Sequence, residues 1–121
     1  AGHIFPVIIR SEKGIKHLLN ANTILGNSPE VKLTESTLQL DVGDIIFLYT
    51  DGLTENSNAD GEMWGEHRLQ RWLKRHKTLP VTEFLDTLVE DVFKFYGDKS
   101  LDDDITLVAC QITKPFPDKI D

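Results

Sequence analysis

The chain has 121 residues, 40% of them hydrophobic, which fits one globular domain with a core and excludes both a disordered chain and a two-domain one. Its 20 acids against 13 lysines and arginines give a formal charge of −7. That balance disfavours nucleic acid and anionic membrane as general partners and favours divalent cations, although solubility alone accounts for it equally well.

The single Cys110 excludes a disulfide framework or a cysteine zinc site built within one chain. It lies inside an apolar run, so a packing role in the core is expected. No stretch approaches the roughly 18 consecutive apolar residues of a membrane helix, and no charged segment leads into an apolar one at the N-terminus. A cytoplasmic setting with no membrane contact is therefore expected.

In chain order, residues 5–10 read as a strand, residues 11–14 as a polar glycine-bearing turn and residues 15–19 as the return strand of a hairpin. The Asn-, Gly-, Ser- and Pro-containing loop 20–29 separates this hairpin from residues 31–40, whose imperfect alternation predicts another strand. Val42-Gly43-Asp44 then turns the chain into residues 45–50, where continuous apolarity predicts a strand buried on both faces.

A long polar loop is expected from Asp51 to Gly65, and loops of that length inside compact domains are usually functional or mobile. Residues 66–77 predict a helix, with Leu69, Trp72 and Leu73 on its apolar face and Arg68, Arg71, Lys74 and Arg75 on a solvated one. A second helix is bounded by Pro80 and by Gly97 as C-cap, with Val81, Phe84, Leu85, Leu88, Val92 and Phe95 at the helical period. Residues 105–112 form the last predicted strand, and residues 113–121 a frayed tail. Strands grouped ahead of helices argue for an α+β fold, a mostly antiparallel sheet carrying two packed helices. No internal repeat is visible.

The segment from Gly43 to Glu55 is the most informative. Its apolar run ends abruptly in Thr50-Asp51-Gly52, which reads as a buried strand delivering a carboxylate to the rim of a sheet, with glycine behind it for close backbone approach. Asp102-Asp103-Asp104 stands immediately before the last apolar run and offers a second rim carboxylate. Carboxylates at two strand ends are hard oxygen donors, which suit Mg²⁺ or Mn²⁺ better than zinc where Cys and clustered His are lacking. On these residues alone, Asp51-Gly52 is also an ordinary turn dipeptide and the three aspartates a solvated turn.

Four motifs in order go further. Ala1-Gly2-His3 followed by Pro6-Val7-Ile8-Ile9, then Gly43-Asp44 through Tyr49-Thr50-Asp51-Gly52-Leu53-Thr54-Glu55, then Gly61-Glu62 with Gly65 and Arg68-Leu69, and finally Asp103-Asp104-Ile105-Thr106 span nearly the whole chain. In these motifs the sequence resembles the metal-dependent serine/threonine protein phosphatases of type 2C, and most closely their bacterial branch typified by the sporulation stage II phosphatase E.

The resemblance implies an α-β-β-α phosphatase sandwich and hydrolysis of phosphoserine or phosphothreonine by water activated between two Mn²⁺ or Mg²⁺ ions. It makes Asp51 and Asp103 the metal ligands and the catalytic pair. Asp102 and Asp104 are the alternatives at the second position if the strand begins one residue away. Adjacent strand residues point to opposite faces, so one acid of a neighbouring pair should reach the ion. Glu55 is expected to face solvent, the alternative being that it orients a bound water or backbone group beside the ligands, and His3 is given no catalytic part. The absence of a Gly-x-Ser-x-Gly elbow or a Cys–His pair agrees with chemistry that needs no nucleophilic side chain.

The family's earlier motifs, which supply a bridging aspartate, are not in these residues. Residues 1–112 are therefore expected to be the C-terminal portion of a phosphatase domain and inactive alone, with residues 113–121 as a tail. The expected partner is a phosphorylated protein, in this branch often an antagonist of an anti-sigma factor. The chain alone is expected to form a homodimer through uncovered sheet surface. Two other readings stay open: a non-catalytic regulatory or binding module that keeps the fold, and a generic acidic α+β domain without metal.

Overall fold

Apolar residues at alternate positions place one face of a sheet against helices, and a computed structural model, describing residues 6–10, 12–17, 39–98 and 100–115, has that arrangement. The strands are β1 (Val7–Arg10), β2 (Gly14–His17), β3 (Ile45–Tyr49) and β4 (Leu107–Gln111). The helices are α1 (Gly52–Glu55), α2 (Gly65–Arg75) and α3 (Val81–Tyr96). All strand pairs are antiparallel, in the order β2-β1-β3-β4. The expected α+β class is thus observed, with β1 and β2 forming the hairpin. Residues 1–5, the predicted strand 31–40 apart from its last two residues, and the tail beyond residue 115 lie outside the described residues, as do Ala1-Gly2-His3.

The register pairs Val7 with Phe47 and Phe47 with Ala109, so Val7, Ile9, Ile45, Phe47, Tyr49, Leu107 and Ala109 share one face. Against it α2 and α3 lay Leu69, Trp72, Leu73, Phe84, Leu88 and Val92, all buried. The aromatic rings mesh edge to face: Phe84 meets Phe47 at 5.3 Å between centroids and Trp72 at 5.4 Å. The Trp72 indole N–H donates to Asp91 at 2.7 Å, which ties the two helices together. Both predicted helices are present with nearly the expected limits. Pro80 precedes the first turn of α3, and Gly97 closes it at φ 69°, a positive φ that glycine adopts without a Cβ clash.

The opposite face differs from expectation. Ile46 and Leu48 of β3 are only half-buried, Val108 is 44% exposed and Cys110 is exposed, so the predicted two-sided burial of β3 and the core role of Cys110 are both corrected. Alternation is the cause: with Ala109 turned towards the helices, Val108 and Cys110 must turn away. The expected loop after Asp51 also differs, since it opens with the single turn α1, closed by the Thr54 and Glu55 N–H groups donating to the Asp51 carbonyl at 3.1 and 2.8 Å. No helix among the described residues is long and apolar enough to cross a membrane.

Candidate metal centre

Antiparallel pairing of β3 with β4 brings the end of one beside the start of the other, which places the Asp51 turn against the Asp102-Asp103-Asp104 turn. The ladder continues past the strands: Thr50 N–H donates to the Thr106 carbonyl at 3.1 Å, and Thr106 N–H donates to Thr50 Oγ1 at 3.0 Å. Beyond that point the backbones nearly touch. A Cβ added at Gly52 would stand 2.1 Å from the Asp104 carbonyl oxygen and 2.9 Å from its carbon, distances no real Cβ tolerates, so only glycine fits. The glycine expected behind Asp51 for close approach is there, and what approaches it is the other acidic turn.

A third tie comes from Asn56. Its Oδ1 accepts from the N–H groups of Asp102 and Asp103 at 2.8 and 2.9 Å. Its Nδ2 donates to the carbonyls of Gly52 and Asp103 at 2.7 and 2.8 Å. Sequence reasoning passed over this residue, because a polar amide in a polar loop carries no signal of partners 46 and 47 positions away.

Asp51 is exposed and precedes α1 without making a side-chain capping bond, which leaves its carboxylate uncommitted to the helix. Asp103 is also exposed; its Oδ1 accepts from the Asp104 N–H at 2.9 Å. The three aspartates sit in a bend before β4 rather than at its first residues. Strand alternation therefore does not choose among them, and the choice of Asp103 rests on the motif. Glu55 is exposed at the end of α1. Among the described residues no three of His, Cys, Asp or Glu cluster closely enough to hold an ion.

Two tyrosines support the Asp51 turn. Tyr49, two residues before Asp51, donates its hydroxyl to Glu66 at the start of α2 at 2.9 Å. Burial, the Glu66 carboxylate and the Asp51 charge all push its phenol well above the ordinary range. Tyr96, at the end of α3, donates to the Leu53 carbonyl inside α1 at 2.7 Å, and burial pushes its phenol up as well. Both remain neutral donors at physiological pH and brace the turn from two helices.

The four-stranded antiparallel sheet with helices packed on it is shared with solved PP2C-type phosphatase domains, whose fold this chain matches in part. It is similar to the SiaA-PP2C domain of Pseudomonas aeruginosa, with a TM-score of 0.70 at 23% identity over 89% of this chain and 43% of that one. It is similar too to the phosphatase domain of the cell fate determinant SpoIIE from Bacillus subtilis, crystallised without domain swapping, with a TM-score of 0.63 at 23% identity over 99% of this chain and 51% of that one. A Mn-presoaked form of the same domain gives a TM-score of 0.56 at 24% identity. These likenesses establish the fold.

The chain belongs to the stage II sporulation protein E (SpoIIE) family, whose model matches residues 1–113. Over 110 residues it is 33% identical to Protein IcfG of Synechocystis sp. (strain ATCC 27184 / PCC 6803 / Kazusa), which covers 90% of this chain but only 17% of that protein. The chain thus spans a small part of its curated relative and about half of the solved phosphatase domains.

Proposed function

We propose that this chain supplies the Asp51 and Asp103 side of a dinuclear Mn²⁺ or Mg²⁺ centre, in a protein whose remaining phosphatase fold supplies the other ligands, and that the whole hydrolyses phosphoserine or phosphothreonine on a regulatory protein in the cytoplasm. The observation that carries this reading is the close approach of the Gly52 and Asp104 backbones, with no room for a Cβ between them, which brings the two motif acids' turns together at one end of the sheet. The donor set fits such a centre: two exposed carboxylates, hard oxygen ligands, with no cluster of Cys and His among the described residues to favour zinc. When bound, a pair of such ions supplies a hydroxide nucleophile near neutral pH and a clamp on the phosphate oxygens.

The chain's own residues divide the remaining work. Asp51 and Asp103 hold charge at the rim, and Gly52 lets their turns close. The Thr50 hydroxyl faces the Asp104 carbonyl at 3.4 Å and accepts from Thr106, so it serves the joint between the turns rather than acting as a nucleophile. The half-buried and exposed apolar residues Ile46, Leu48 and Val108 are the seat of the sandwich's second sheet, a place that a second copy takes when the chain stands alone.

The test is turnover of a serine- or threonine-phosphorylated protein by the protein carrying this domain together with the rest of the fold. Turnover is expected to vanish with chelator and to return with Mn²⁺ or Mg²⁺, while the isolated 121-residue chain shows none. Chelator-resistant turnover would reject the mechanism, and no turnover in any form with metal present would favour a binding module that keeps the fold.

A further inference from the structure

Asn56 is 1% exposed, an unusual place for an amide in a polar loop. Its hydrogen-bonding capacity is fully used. A side-chain amide has two N–H donors and two acceptor lone pairs, and here each meets one backbone partner. The partners also fix which way the amide points: with oxygen and nitrogen exchanged, two N–H groups would face an NH₂ and two carbonyls an oxygen. Both backbone polar groups of Asp103, its N–H and its carbonyl, belong to this one side chain. The bond to the Gly52 carbonyl anchors the same amide to the residue after Asp51.

We propose that Asn56 is a positioning residue that locks the Asp103 backbone to the Asp51 turn, so that the two carboxylates present themselves to a divalent cation as one preformed unit. The proposal rests on the reading of Asp51 and Asp103 as ligands. A ligand on an untethered turn must be ordered when the ion arrives, and that ordering is subtracted from the affinity. The tether must be asparagine. Aspartate has the same shape but no donor, and it would turn an acceptor towards the carbonyls of Gly52 and Asp103. Glutamine is one methylene too long for a site closed around a side chain that is 1% exposed, and alanine removes the partner that four backbone groups share.

The experiment uses the protein carrying this domain with the rest of the fold, as wild type, Asn56→Ala, Asn56→Asp and, as a control for lost stability alone, Val92→Ala in the core of α3. Two quantities are read: metal-free amide hydrogen exchange at residues 102 and 103, and the Mn²⁺ dissociation constant from the electron paramagnetic resonance signal of free Mn²⁺. In Asn56→Ala, exchange at those two amides is expected to rise about tenfold or more while the β3–β4 ladder keeps its protection. Mn²⁺ binding is expected to weaken by roughly 10–100-fold. Asn56→Asp, which keeps the acceptor and loses the donors, should fall between, and Val92→Ala should bind Mn²⁺ like the wild type.

Wild-type affinity in Asn56→Ala, or equal weakening in Val92→Ala, overturns the proposal. Should Asn56→Ala fail to fold, Asn56→Asp decides, and wild-type exchange and affinity in that variant overturn it. A wild type that binds no Mn²⁺ at all sinks the metal reading itself, a result distinct from a wild type that binds and an Asn56 variant that binds equally well.

Discussion

Replacing Gly52 with alanine is expected to lower the melting temperature by on the order of 5–15 °C, corresponding to about 1–3 kcal/mol for a forced insertion into a packed site in a domain of this size. The added Cβ would lie 2.1 Å from the Asp104 carbonyl oxygen, and that oxygen belongs to backbone, not to the end of a flexible side chain. Relief requires the two turns to part. Parting them stretches the Thr50–Thr106 and Asn56–Asp103 bonds, so Mn²⁺ affinity should fall along with stability. Calorimetry and a Mn²⁺ titration on the same variant check both effects; wild-type melting and wild-type affinity would show that the close contact has no role.

Asp51→Asn should separate stability from chemistry. Asp51 is exposed and makes no capping bond, so its loss as a charge should change metal-free stability by no more than roughly 0.5 kcal/mol. An amide is a poor ligand for a hard dication. Mutating residues that merely support a metal ligand typically costs 10–100-fold, and removing a ligand itself should cost at least about 100-fold in turnover. Asp103→Asn should behave alike, whereas Asp102→Asn and Asp104→Asn should retain most activity. Phosphoprotein turnover across these four variants checks the assignment, and full activity in Asp51→Asn would defeat it.

Much of this fold is legible in the residues. The helical spacing of Leu69, Trp72 and Leu73, and of Phe84, Leu88 and Val92, marks α2 and α3, because burying one stripe of a helix is what their packing requires. The abrupt change from Phe47-Leu48-Tyr49 to Thr50-Asp51-Gly52 marks the sheet rim just as clearly. Other features depend on distant partners. A continuous apolar run cannot reveal that Ile46 and Leu48 lie on a less covered face than Ile45 and Phe47, since pairing with β1 and β4 decides that. Cys110 looks like core for the same reason. Asn56 looks like any turn residue because three of its four bonds go to a segment more than forty positions later. The bend at residues 102–104 removes the alternation that would have chosen among the aspartates.

The most direct test of the central claim is the location of Mn²⁺, by anomalous scattering at the manganese edge, in crystals of the protein carrying this domain with the rest of its fold. The predicted result is two manganese peaks roughly 3.5–4 Å apart, with oxygens of Asp51 and Asp103 about 2.1 Å from metal. Manganese bound at a place that touches neither residue, in a protein that still turns over phosphoprotein, would contradict it.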